Sequence, residues 1–231
     1  MNKTAAIVII GSEIINGEIT DVNGMLISTE LAKIGFRVSS ISIINDDLNN
    51  ASDLIRFLSP RETVIITVGG LGPTIDDITM AAIAKAFEMN LVSKPALSST
   101  DFRKMSGSET SNNLIKNLPE GSRVINSPHG PVVRTNNVYS LPGLPGLVKN
   151  RLKVLMDLLF EPFGKQYKRE WVIELPQSSI AALLEEGTRL FPNVTVGCYP
   201  QKDSNSRTKI ILSGTREKEV GEFYDHIMKA F

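Results

Sequence analysis

Apolar positions along the chain alternate between unbroken short runs and runs at helical spacing. Residues 5–10 (AAIVII) form a continuous apolar stretch that stops at Gly11, the pattern of a strand buried on both faces. Residues 25–34 then repeat at helical spacing, with Asp21 or Asn23 available as caps and Gly35 past the last periodic position. A strand at 36–44, a helix at 51–58 and a strand at 63–68 follow, giving the order β-α-β-α-β. A helix is predicted over 78–88, where MAAIAKAF is rich in strong helix formers. Residues 92–116 are more polar and read as one or two short helices. Short strands at 123–126 and 138–141 come next, and LPGLPG turns the chain into a helix from about 147 to 160 with Pro145 near its first turn. This alternation predicts an α/β domain with a mostly parallel sheet covered on both faces.

A shift in composition at 161–166 (EPFGKQ) reads as a linker. Beyond it the pattern gives a strand at 171–175, a helix at 180–190, strands at 194–199 and 209–213, and a helix at 218–231. The expected organisation is a larger domain over residues 1–162 and a small α+β domain over 167–231.

Charge narrows the function. Lys+Arg and Asp+Glu each number 25, so the basic footprint of a general nucleic-acid binder is missing. Cys198 is the single cysteine, which excludes an internal disulfide and a cysteine-cluster metal site and fits a reducing cytoplasm. The apolar run after Lys3 is too short for a signal segment or a bilayer span, so neither membrane nor export is expected.

In an open parallel sheet, ligands bind beyond the carboxyl ends of the strands. Three segments leave the first three strands: GSEIINGE at 11–18, NDD at 45–47 and GGLGPTIDD at 69–77. All carry carboxylates and two carry glycines. Glycine N–H groups at the start of a helix hold phosphate oxygens, and carboxylates hold a divalent cation bridging to the same phosphates. The plainer alternative makes Asp76, Asp77 or Thr74 an N-cap, contributing about 1 kcal/mol, and Gly69–Gly70 a tight turn. P-loop, Gly-x-Gly-x-x-Gly and Gly-x-Ser-x-Gly patterns are absent, which removes support for a P-loop enzyme, a dinucleotide-fold dehydrogenase or a serine hydrolase. His129 in SPHGP reads as a surface turn residue or a base, His226 as a side chain of the last helix, and Cys198 as packing. Tyr199 could pack locally or reach the first domain's site.

The stretches AAIVIIGSEIINGEITDVN, IINDD and VIITVGGLGPTIDDIT, with LPEG at 118–121, LPG at 141–143 and VGCYP at 196–200, resemble the competence/damage-inducible CinA family. The resemblance covers nearly the whole chain. It implies a three-layer α/β/α molybdopterin-binding-like domain, shared with molybdenum-cofactor biosynthesis proteins, and a small KH-like α+β domain. It also implies a small-molecule nucleotide or pterin ligand and hydrolysis of the pyrophosphate of ADP-ribose or FAD with Mg²⁺ or Co²⁺, together with K⁺. By the same resemblance Gly11, Asn23, Asp46, Asp47, Gly69, Gly70, Leu71, Gly72, Thr74 and Tyr199 belong to the ligand site, and Asp21 to its first loop. Asp77 and Glu13 are expected to bind metal or activate water, with Asp76 in support. Ser12 stands where many relatives carry an aspartate, and PHGPVV at 128–133 departs from their pattern. Longer relatives add an amidase domain that these 231 residues do not include, so deamidation is not expected. The small domain lacks a Gly-x-x-Gly loop and is expected to act as a lid or oligomer contact, not as an RNA clamp. A homo-oligomer is expected. Two other readings stand beside the pyrophosphatase: adenylyl transfer from ATP to molybdopterin, and a non-catalytic nucleotide- or pterin-binding module.

Overall fold

In the computed structural model, residues 3–72, 74–93, 117–163, 167–201 and 204–231 are described. The chain divides into two compact units, Met1–Ala32 with Phe36–Glu161, and Lys33–Gly35 with Pro162–Phe231. The larger holds β1 (Thr4–Ile10), α1 (Ser12–Ile15), α2 (Asn23–Lys33), β2 (Arg37–Ile44), α3 (Leu48–Leu58), β3 (Val64–Val68) and α4 (Thr79–Ala86). It continues through β4 (Leu91–Ser93), β5 (Asn117–Pro119), β6 (Arg123–Ile125), β7 (Val132–Thr135), β8 (Val138–Leu141) and α5 (Pro145–Phe163).

Six strands form one sheet in the order β2-β1-β3-β8-β7-β6. Pairings β1–β2, β1–β3 and β3–β8 are parallel, whereas β8–β7 and β7–β6 are antiparallel. The chain moves from β1 to one side to make β2, then back past β1 to make β3. Right-handed crossovers therefore put α2 and α3 on opposite faces of the sheet. On one face Ala6, Val8 and Ile10 of β1 share a core with Ala51 and Ile55 of α3 and Ile83 of α4. Ala5, Ile7 and Ile9 point the other way and are equally buried, as are Ile27 and Leu31 of α2. Burial on both faces is why the first and third strands read as unbroken apolar runs.

The structure departs from the sequence pattern at several points. β7 went unread because it is four residues long, yet it pairs with β8 through a two-residue turn, Asn136-Asn137, with Asn136 at φ 51°. Asn137 then anchors that turn by donating from Nδ2 to Ser59 O and Glu62 O. Val92 and Ser93 belong to β4, not to a helix, and pair with β5. The rest of the helices expected over 92–116 falls at 94–116, outside the described residues. The segment read as a linker begins inside α5, which runs to Phe163, and 164–166 lie outside the described residues.

The smaller unit comprises β9 (Tyr167–Ile173), α6 (Gln177–Leu190), β10 (Val194–Gln201), β11 (Ser204–Gly214) and α7 (Glu217–Met228). Its antiparallel sheet, in the order β10-β11-β9, shares a core of Ile180, Leu184, Ile210, Leu212, Phe223 and Ile227 with the two helices. Gly187 permits the close approach of α6 and α7, because a Cβ there would lie 2.0 Å from the Phe223 ring. Strands β9 and β11 extend past their apolar stretches because charged residues also pair across the ladder. Glu170 forms ion pairs with Lys168 and Lys209. Among the described residues no helix is long and apolar enough to cross a membrane.

Hydrogen bonds from Lys168 and Lys209 hold the Glu170 carboxyl down to about 2 from an ordinary 4.5. A lowered carboxyl pKa stabilises the fold above the unfolded value and loses that contribution as pH falls through the folded value. Glu170→Gln is therefore predicted to flatten the fall in stability between pH 4.5 and 2, followed as urea midpoints of the full chain. Wild type and variant losing stability in parallel over that range would contradict it.

Candidate functional site

A cleft of about 380 Å³ opens at the carboxyl ends of β1, β3 and β8. The chain leaves β1 toward β2 and leaves β3 toward the opposite edge, so the cleft sits at a topological switch point. Glu13, Asp21, Asn23, Asp46, Asp76 and Asp77 line it together with Gly69–Gly72.

The glycines are required by backbone proximity. Gly69 sits at φ +96°, and a Cβ on it would lie 2.2 Å from the carbonyl oxygen of Ile10 at the end of β1. Gly70 sits at φ +59°, with Thr79 Oγ1 2.4 Å from where its Cβ would stand. Thr79 fastens the loop to the start of α4: its hydroxyl donates to Gly69 O at 2.8 Å and its N–H to Gly70 O at 3.2 Å.

Asp77 closes the other end. Its Oδ1 accepts the Gly72 N–H at 2.5 Å, and its Oδ2 accepts the N–H and hydroxyl of Thr74 at 2.7 and 2.8 Å. The N-cap position of α4 is Ile78, with no side-chain capping bond, so Asp76, Asp77 and Thr74 are not the helix caps that sequence allowed. One carboxylate thus holds the loop through three donors. The Gly69 N–H goes to Leu141 O. Gly70, Leu71, Ile75 and Asp76 are the described loop residues whose N–H groups have no bond among the described residues, and of these Gly70, Leu71 and Asp76 line the cleft.

The other two loops are braced similarly. Ser12 N–H donates to Asp46 Oδ2 at 2.8 Å, and Asp46 N–H donates to Ser12 Oγ at 3.1 Å, a reciprocal pair joining the exits of β1 and β2. The Glu13 carboxylate folds over Gly11, where a Cβ would meet Oε1 at 2.7 Å. Asp21 begins α2 by accepting the N–H groups of Asn23 and Gly24, each at 3.0 Å. Asn23 is 5% exposed and donates from Nδ2 to Gly143 O at 2.7 Å, tying the first loop to the turn after β8.

Three residues of the larger unit expected at the ligand site do not line the cleft. Gly11 is buried behind Glu13, Asp47 caps α3 by accepting the Asn50 N–H at 2.7 Å, and Thr74 is held by Asp77. Tyr199 lies on β10 with its ring against Gly197. His129 is an exposed turn residue whose N–H donates to Ser127 Oγ. Burial raises the Cys198 thiol pKa, in keeping with a packing role. The lining missed from sequence is the Pro142–Gly143–Leu144–Pro145 turn and an apolar wall including Ile14, Ile19 and Val22. LPG was visible, but only its place after a strand parallel to β3 puts it on this rim.

Among the described residues no group of three or more His, Cys, Asp or Glu side chains converges to hold a metal ion. Asp21, Asp46 and Asp77 already accept internal bonds, whereas Glu13 and Asp76 have no side-chain bond among the described residues. This donor set does not make a protein cage. A cation of the Mg²⁺ type needs only one or two protein carboxylates and completes its shell with phosphates and water.

Residues 6–162 match the family model described as "Probable molybdopterin binding domain", and residues 165–231 match the one described as "FAD synthase, middle domain". The chain therefore belongs to the molybdopterin-binding domain family, among the CinA-like proteins. It is similar to a protein of Archaeoglobus fulgidus, at 31% identity over 84% of this chain and 85% of that one. It is also similar to a CinA-like protein of Thermotoga neapolitana, at 28% identity over 98% of this chain but 58% of the relative's length. Among solved structures it resembles CinA of Thermoplasma acidophilum, described as of unknown function, with a TM-score of 0.60, 26% identity, and coverage of 68% of this chain and 98% of that one. The unit read from sequence as KH-like is the one matched by the FAD synthase middle domain.

Two outcomes are predicted for the loop. Gly69→Ala meets fixed backbone at 2.2 Å and should destabilise the fold by roughly 2–4 kcal/mol, more than Gly70→Ala, which meets the Thr79 side chain at 2.4 Å. Urea midpoints give the order, and equal effects would contradict the close approach. Asp77→Asn should raise hydrogen exchange at Gly72 and Thr74 and lower stability by roughly 1–3 kcal/mol. Unchanged exchange there would show that the carboxylate does not hold the loop.

Proposed function

We propose that the cleft binds the diphosphate of a nucleotide cofactor, ADP-ribose or FAD, and hydrolyses it to AMP and a second phosphate ester. The observation that carries this reading is the meeting, in one cleft, of two unbonded amides at Gly70 and Leu71 with two uncommitted carboxylates at Glu13 and Asp76. Amides next to a helix start favour phosphate oxygens. The carboxylates would repel the same phosphates, so they fit a site that also receives a cation or must remove a proton. The match of the smaller unit to an FAD synthase domain supports a flavin or adenylated cofactor as the ligand class.

In this reading a water oxygen forms a bond to one phosphorus as the bridging P–O bond breaks. The water's proton passes to a base, the role this reading gives to Glu13. The departing phosphate becomes ribose 5-phosphate from ADP-ribose or FMN from FAD. Gly70 and Leu71 N–H groups stabilise charge on the non-bridging oxygens. A divalent cation, Mg²⁺ or Co²⁺, entering with the diphosphate would be held by Glu13 and Asp76; when bound it neutralises phosphate charge and lowers the pKa of its water. Asp77, with both oxygens accepting loop donors, shapes the cradle. The name of the family model supports pterin binding, and adenylyl transfer from ATP to that pterin is the second reading.

The test is AMP release from ADP-ribose, FAD and ATP, with and without Mg²⁺, Co²⁺ and K⁺. Metal-dependent release is predicted, lowered at least about 10²-fold by Glu13→Gln and reduced by Asp76→Asn. Full activity in both variants would remove these carboxylates from the reaction. Binding without release from any substrate would replace hydrolysis by the pterin reading or a binding module.

A further inference from the structure

Strand β2 forms one edge of the six-stranded sheet and pairs only with β1 among the described residues. Its free side follows from one bond. The Ile44 carbonyl accepts the Gly11 N–H, so Ile44 turns its backbone groups toward β1. Backbone direction alternates along a strand, so Ser42 also faces β1, while Ile41 and Ile43 present their N–H and C=O groups outward. Strand β1 cannot reach those four groups, and no other described residue bonds to them. The register shift between Ala5 and Ala6 leaves Ser39 as a bulge and ends the flat part of the edge there. Natural sheet edges are blunted by charge, by proline or by a covering element. Residues 38–44 (VSSISII) hold no charge and no proline. The Ile41 and Ile43 side chains are 42% and 37% exposed. Met25 of α2 is 69% exposed and follows Gly24, where a Cβ would lie 2.9 Å from Ile41.

We infer that β2 pairs antiparallel with β2 of a second copy of this chain, about a twofold axis at Ser42, so that two six-stranded sheets become one. In this register Ile41 of each copy stands opposite Ile43 of the other, and the outward N–H and C=O groups of both copies are all used in four hydrogen bonds. Neighbouring registers do worse. Pairing Ile41 with itself sets Ile43 against the bulge, and pairing Ile43 with itself sets Ile41 against Asn45, whose carbonyl already accepts the Asp47 N–H. Charge agrees with the same arrangement: antiparallel pairing brings the exposed Arg37 of one copy to the end of β2 that leads into Asp46 and Asp47 in the other, twice over. The side chains of Ile41 and Ile43 from both copies meet on the face covered by α2. A patch that complements itself in hydrogen bonds, charge and apolar contact is the mark of a twofold interface, which is why the occupant is a second copy. Because the paired strands run in opposite directions, the two clefts open at opposite ends of the joined sheet.

Sedimentation of the full chain over a range of concentrations tests the inference, and a dimer that dissociates on dilution is predicted. Ile43→Pro removes an outward N–H while leaving the bonds to β1 in place, a position where an edge strand tolerates proline. It should raise the dimer dissociation constant roughly 5- to 150-fold, since one bond is lost on each side of the axis. Ser42→Cys in a Cys198→Ser background is predicted to oxidise to a covalent dimer, because a pair of this kind sets its Cα atoms about 4.5 Å apart, within reach of a disulfide. Ser40→Cys stands opposite Ile44 in the same register and should not cross-link. Circular dichroism shows whether the proline variant folds; if it does not, the cysteine pair decides alone. A wild-type chain that sediments as a monomer throughout overturns the inference. So does a dimer that a folded Ile43→Pro leaves unchanged, or one in which Ser42→Cys cross-links no better than Ser40→Cys.

Discussion

The contact between Gly69 and the Ile10 carbonyl is the constraint from which the site follows. Two adjacent parallel strands end with their backbones closer than any side chain allows, since a Cβ would come within 2.2 Å of the carbonyl oxygen. That approach forces a left-handed turn at the exit of β3, and the turn leaves the loop to be held by side chains. Thr79 holds its beginning and Asp77 its end. A cleft built on a switch point of a buried sheet is thus stiff at its glycine loop, and in the proposed reading its amides are preorganised for an incoming anion.

Charge in the cleft divides by hydrogen bonding. Asp21, Asp46 and Asp77 face donors from their own loops, so their negative charge is met by N–H and hydroxyl dipoles of the protein. Glu13 and Asp76 are not met in this way and are the groups left to act on a ligand. Acidic residues in a phosphate site are commonly read as metal ligands. Here three of the five stiffen loops, which is a separate physical role with the same residue type.

Much of this was legible in sequence, for physical reasons. Strands buried on both faces leave unbroken apolar runs, so β1 and β3 and the loops after them were found, and with them the glycines and acids of the cleft. Strand β8 was found, but its hairpin partner β7 was hidden because the signal is an Asn-Asn turn between very short strands. Strands β9 and β11 outran their apolar stretches because ion pairs such as Glu170–Lys209 extend the ladder. The division of labour among the acids could not be read, since an aspartate that caps a helix, one that closes a loop and one that awaits a ligand look alike in one dimension. Nor could the bond from Asn23 to Gly143, 120 residues away, which only the fold brings together.

The central claim is that the glycine loop of one preorganised cleft receives the diphosphate. A crystal structure of the chain with ADP-ribose tests it most directly. The account predicts phosphate oxygens on the N–H groups of Gly70 and Leu71. A ligand seated elsewhere, or phosphates lying against Asn23 with the glycine loop bare, would contradict it.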